Sequence, residues 1–162
     1  MSNGQPNVGT KLFICTTPQG EDLDKAAFEL LTFVEISDTG EVPTSGLEEA
    51  EVSFESISKN RTLKSKGVRN NQNMEWMFAV VRDASQEQDA GQAAAIAAGK
   101  TQFPYAYKKV EPAGAADYTG KTTYYRGKQS NVMDMGGAND IIRQNFTIYT
   151  EQELVVEPAA VV

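Results

Sequence analysis

The segment Glu48–Asp83, EEAEVSFESISKNRTLKSKGVRNNQNMEWMFAVVRD, decides how this chain reads. In its first part, Ala50, Val52 and Phe54 alternate with Glu49, Glu51, Ser53 and Glu55, the period-two pattern of a half-buried strand. Residues Asn71–Asp83 repeat the pattern, with Met74, Trp76, Phe78 and Val80 on one side and Asn73, Glu75, Met77 and Ala79 on the other. Between them Ser58–Asn70 carries Lys59, Arg61, Lys64, Lys66 and Arg69 and no acid. Such a segment is too long for a tight turn and too charged to bury, so it reads as a loop. The expectation is a long hairpin with a basic tip. Its apolar faces share a core, and its polar faces lie side by side as a carboxylate wall.

Outward from this hairpin, composition limits the choices. The chain has 162 residues, 40% hydrophobic and 23% charged, which suits one globular domain. Lys and Arg total 15 against 22 Asp and Glu, a net charge of −7. That balance argues against a general nucleic-acid-binding surface, which needs clustered cations on one face. The basic loop is a local exception, read as a phosphate-binding tip or, more plainly, as a solvated or salt-bridging arm. There is no histidine and a single cysteine, Cys15, so no intrachain disulfide forms and most metal and nucleophile–base arrangements lose a partner. Cys15 lies in the apolar run KLFICT and reads as a small core residue. Met1–Gly9 is polar, without the apolar core of a secretory signal, and no run approaches membrane-spanning length. A reducing cytoplasm is the expected folding compartment.

In chain order, residues 1–10 read as a flexible arm and Lys11–Thr16 as a strand ended by Thr17-Pro18-Gln19-Gly20. Leu23, Ala27, Leu30 and Leu31 recur at helical spacing, Thr32–Ile36 is β-rich, and Ser37-Asp38-Thr39-Gly40 breaks it. After the hairpin, Ser85 and Gln88 form a capping box ahead of the alanine-rich run Ala93–Ala98, which Gly99 stops. Gly91 inside this helix suggests a tight contact. Strands return at Pro104–Val110, Lys121–Met135 and Asp140–Thr150, with turns at Gly114–Gly120 and Gly136-Gly137, and residues 151–162 read as an extended acidic tail. The sum is a single α+β domain over residues 1–162. It is mainly an antiparallel β-sandwich or barrel with one packed α-helix and a long hairpin loop.

Motifs that could carry chemistry are weak. Gly120-Lys121-Thr122 resembles the end of a phosphate-binding loop but lies at the wrong spacing from Gly114. Glu49, Glu51, Glu55 and Glu75 could act as paired acids only if one were held protonated in a dry pocket, whereas alternating glutamates on a strand usually make a solvated face. Trp76, Phe78, Tyr105, Tyr107, Tyr124 and Tyr125 could stack on bases, but they lack interleaved cations and read as core. No catalytic residue, metal ligand or cofactor is expected.

The order of these parts resembles the major tail tube proteins of long, non-contractile-tailed, lambda-like bacteriophages. The likeness runs from Gly9-Thr10-Lys11-Leu12 through Asp24–Ile36 and the acidic strand, basic loop and return strand. It is sharpest at Arg82-Asp83 with Asp89–Ala94, and closes with Pro104–Tyr107 and Asn145–Tyr149. The longer glycine-rich connection Gly114–Gly120 departs from it. The resemblance implies a virion structural protein, assembled in host cytoplasm, whose hexameric rings stack into a tube. DNA and a tape-measure protein would lie inside, with terminator and tail-tip proteins at the ends and no membrane partner. It implies Glu49, Glu51, Glu55, Asn73 and Glu75 as lumen-lining residues, and Lys59, Arg61, Lys64, Lys66 and Arg69 as the loop that reaches the adjacent ring. A carboxylate-lined bore would repel the phosphate rod instead of trapping it. The alternatives are the tube protein of a secretion or contractile injection system, a monomeric β-barrel with a ligand cavity gated by the basic loop, and an acid-pair hydrolase.

Overall fold

The computed structural model describes residues 9–112, 120–136 and 139–156. Along them run β1 (Lys11–Cys15), α1 (Lys25–Leu30), β2 (Phe33–Ile36), β3 (Leu47–Ser56), β4 (Arg61–Asn71), β5 (Met74–Ala79), α2 (Ala90–Gly99), β6 (Tyr105–Val110), β7 (Thr122–Gln129), β8 (Met133–Met135) and β9 (Arg143–Val156). The main sheet has the order β2-β1-β6-β7-β9-β5, antiparallel at every pairing, with β8 added beside β9. Its two ends meet. Beyond β2, Asp38 adopts φ 53° and turns the chain so that Gly40 N donates to Met77 O (2.7 Å) and Ala79 N to Asp38 O (3.0 Å). The break expected at Ser37–Gly40 is therefore the seam of a barrel. The α+β, mainly β architecture with a packed helix is as the sequence implied.

Period-two alternation accounts for the interior. Met74, Trp76 and Phe78 of β5 point inward with Leu12, Ile14, Ile36, Tyr105, Tyr107, Tyr125, Phe146 and Ile148, and α2 adds Ala95 and Ala98. A second cluster on the opposite face of the sheet joins Cys15, Phe28, Ala106 and Tyr124, where Phe28 stacks on Tyr124 at 5.0 Å. Cys15 is a core residue and Tyr105, Tyr107, Tyr124 and Tyr125 are buried, as expected.

Four local expectations change. First, α1 is short: Asp24 caps it through Ala27 N (2.8 Å), Leu31 is already extended, and Phe28 is the buried residue while Leu30 is 86% exposed. Second, Ser85 does not cap α2. The Asp83 carboxylate takes the amides of Ser85 and Glu87 into a turn, and Asp89 caps the helix four residues later through Gln92 N. Third, the acidic segment after Thr150 is strand as far as Val156, since Val156, Val155 and Leu154 pair with Thr122, Thr123 and Tyr124. A bulge at Glu151 aims its carboxylate at buried Arg126 (3.0 Å), which also holds Asp22 (2.6 Å). Fourth, the segment read as a basic loop is a strand, β4, paired with β3. The expected arm at residues 1–8, most of the Gly114–Gly120 turn, Gly137 and the end of the tail at 157–162 lie outside the described residues.

Gly91 explains how α2 comes so close to the sheet. A Cβ there would land on the Glu35 carbonyl, well inside any permitted contact. Gly91→Ala is expected to lower stability by roughly 1–3 kcal/mol or more through overpacking, read as a fall in the thermal midpoint. Burial raises the pKa of Tyr107 and of Tyr125 above 10.0. Because the unfolded phenols titrate near the ordinary value, the stability they contribute is complete below about pH 10 and is lost as pH climbs toward the folded pKa values. Ultraviolet titration should therefore show these two tyrosines ionising only as the fold is lost.

Candidate assembly surface

The feature that stands apart from the barrel is the two-stranded arm β3–β4. Its tip is the turn Ile57–Asn60, where Asn60 takes φ 50° and donates its amide to Ile57 O (3.3 Å), and Ser56 Oγ accepts from Lys59 N (3.3 Å). Glu49 faces Arg69 and Glu51 faces Lys66, which leaves Gly67 and Val68 together opposite Ala50 as a bulge. Gly67 is required there because a Cβ would meet Val52 and the Ala50 carbonyl. At its base Asn71 Nδ2 donates to Glu151 O (3.0 Å) and Gln72 N to Gly46 O (2.8 Å).

Alternation gives the arm two unlike faces. One carries Ala50, Val52, Phe54, Leu63 and Val68, with Phe54 directly opposite Leu63. Val52 is 56% exposed, Phe54 68% and Val68 71%, while Ile57 at the tip is 97% exposed. The other face carries Glu49, Glu51 and Glu55 against Lys64, Lys66 and Arg69. Arg69 Nε lies 2.9 Å and Lys66 Nζ 3.4 Å from the Glu49 carboxylate, and Lys64 Nζ is 3.7 Å from Glu51. Such exposed pairs each contribute at most about 1 kcal/mol, but they select the register.

The predicted residues are thus regrouped. Glu49, Glu51 and Glu55 share a face, but with Lys64, Lys66 and Arg69 and not with Glu75. Glu75 lies on β5 in the other sheet and accepts from Asn145 Nδ2 (3.1 Å). Asn73 lies between the two sheets, at a polar cleft of about 600 Å³ with Glu48, Arg69 and Thr150. A continuous carboxylate wall is therefore not formed, because the strand that returns beside β3 is β4. Lys59 and Arg61 lie at the tip, and among the described residues no carboxylate pairs with either. The matched offsets of Glu55, Ser53 and Glu51 against Thr62, Lys64 and Lys66, with Ser58-Lys59-Asn60 between, are the signal that identifies β4.

Chemically this surface is suited to association. A contiguous exposed apolar face marks an interface, and the unpaired outer edges of β3 and β4 are open to another strand. Of the arm carboxylates, Glu49 and Glu51 are held by cations of β4. No cluster of three or more metal-ligating side chains occurs among the described residues, and none of their helices is long and apolar enough to cross a membrane.

No protein-family model matches the chain, and no curated protein matches it. Solved structures do. A chain of the six-fold symmetrised anti-feeding prophage baseplate superposes with a TM-score of 0.65 at 8% identity, covering 96% of this chain and 97% of that one. A chain of the SPP1 tail tube superposes with a TM-score of 0.66 at 14% identity, covering 94% of this chain and 78% of that one. At these identities the likeness is one of fold.

Since the apolar face of the arm touches little of the barrel, Phe54→Asp and Val52→Asp should each change unfolding free energy by no more than about 0.5 kcal/mol. Chemical denaturation of the isolated monomer checks this, and a large loss would mean the face packs on its own barrel.

Proposed function

We propose that this protein is a structural subunit of a phage-type tail, whose copies form six-membered rings that stack into a tube conducting DNA. The observation that carries the reading is the arm: a ribbon with an exposed apolar face and two unpaired edges, projecting from a closed barrel. A strand pair of this kind is marginal by itself and gains its burial from a neighbour. The fold shared with a tail tube chain and with a baseplate chain supports the same reading. In this reading the subunit resides in the virion tail after assembly in the host cytoplasm. Its partners are other copies of itself, the tape-measure protein and DNA inside, and terminator and tip proteins at the ends. Its role is architectural and not catalytic.

Within the tube, the apolar face of the arm is buried between subunits and the charged face of Glu49, Glu51 and Glu55 with Lys64, Lys66 and Arg69 is left to solvent. Because Lys64, Lys66 and Arg69 are each held by Glu49 or Glu51, that face does not grip passing phosphates. Glu75 and Asn73, separate from the arm face, would line the bore only from the barrel side. The match to a baseplate chain favours a second reading, in which the subunit forms a ring at the end of the tail instead of repeating along it.

Negative-stain electron microscopy over a range of concentration and salt separates these. Extended tubes are expected from the first reading, isolated rings from the second, and monomers under every condition would count against both. Lys64→Glu with Lys66→Glu sets like charges beside Glu51 and Glu49 and should abolish tube growth while the barrel's thermal transition persists; normal tubes would remove the arm from assembly.

A further inference from the structure

A second exposed apolar region lies on the barrel, away from the arm. Met133 and Met135 of β8 are 65% and 37% exposed, and Ile141 and Ile142, just before β9, are 70% and 61% exposed. Met135 and Ile142 line one open cleft of about 400 Å³ with Val80, Arg82, Asp134 and Gln144. Its floor is held by Val80 N donating to Ile142 O (2.9 Å) and its wall by Gln144 Nε2 donating to Asp134 Oδ1 (2.6 Å). The cleft is thus a structured recess of mixed lining, in which Val80, Met135 and Ile142 offer apolar surface beside Arg82, Asp134 and Gln144.

We infer that this cleft receives the apolar face of the arm from a second copy of the chain, with Phe54 as the inserted side chain. The inference rests on the self-assembly reading above and adds the docking site. Phe54 and Leu63 form a directly opposed pair on an otherwise small-residue ribbon, so the face has one bulky projection. The charges bear on the fit: Lys59 and Arg61 at the tip follow closely on Phe54, and the cleft carries Asp134 beside Arg82, with Asp83 and Glu87 in the turn beyond Arg82. Two arms packed apolar face to apolar face would close as a dimer. Arm into cleft joins unlike patches, so every docked copy still presents one free arm and one free cleft. That is the heterologous contact from which rings and filaments grow.

The distinction can be read by mixing two variants, each exposed enough to leave the barrel folded. Phe54→Asp disables the arm and Ile142→Asp disables the cleft. Each alone is expected to lose assembly and to sediment as a monomer. Mixed in equal amounts, they should give a species of twice the mass and no larger, because the intact arm of the second variant fits the intact cleft of the first. Met135→Asp serves as a second cleft variant should Ile142→Asp fail to fold, and circular dichroism checks the fold of each. If wild-type protein assembles and the cleft variants assemble equally well, the docking site is wrong while the self-assembly reading stands. The docking site is equally overturned if each variant is monomeric and the mixture stays monomeric. Wild-type protein that stays monomeric throughout overturns the docking site and the self-assembly reading together.

Discussion

The side-chain amide of Gln92 is what the closed barrel depends on. Its Nε2 donates to Ser37 O (3.0 Å) and Ala79 O (2.8 Å), and its Oε1 accepts from Val81 N (3.1 Å) and Gln88 Nε2 (3.0 Å). Ser37 follows β2 and Ala79 ends β5, so one fully buried amide ties the two ends of the sheet beside their seam. Without the amide, buried carbonyls would be left at about 1–3 kcal/mol each. Gly91, one residue earlier, lets the helix sit low enough for this reach, and Gln129 anchors the next turn of α2 by donating to Ala95 O (2.6 Å) while accepting from Tyr107 (2.6 Å). Helix position, seam and core are thus one coupled arrangement.

A closed barrel leaves its strands with paired edges, and here that condition separates the body from the arm. The arm is held in register by its own devices: ion pairs on one face, a glycine bulge, and a turn stabilised by Ser56 and Asn60. None of these buries apolar area. The sequence therefore spends Val52, Phe54 and Val68 on a surface that its own barrel does not cover.

Strand alternation, the break at Ser37–Gly40, the alanine-rich helix and the buried aromatics were legible because each is a local pattern with a local cause. The pairing of β3 was not. Apolar alternation made β5 the obvious partner, and the cations of β4 suppressed its reading as a strand, although Lys64 and Lys66 stand opposite Ser53 and Glu51. Val52 and Phe54 look like core residues in sequence because alternation reports that a strand has two faces, not whether its own fold covers the apolar one. The same limit hid the end of β9, where Leu154 and Val156 pack on the outer cluster between acids that suggest a solvated tail. The Asp89 cap was missed because Ser85 and Gln88 matched the box pattern, while the Asp83 carboxylate had already claimed the preceding turn.

Charge bears on how this chain carries such an arm. The chain carries −7, whereas residues 47–71 carry Glu48, Glu49, Glu51 and Glu55 against five cations, so the negative charge belongs to the body. Two bodies repel, but only within a screening length of about 8 Å at physiological ionic strength. A strand of ten residues extends roughly 33 Å, so the arm of one copy reaches another before the bodies feel each other. Body repulsion then disfavours unspecific clustering of barrels, while in the proposed arm-into-cleft contact the cationic tip is drawn toward carboxylates. Raising salt weakens both effects, but the apolar contact itself is not screened, so the balance shifts toward association as the bodies cease to repel. The acidity of the chain is in this sense a condition for carrying an exposed apolar arm.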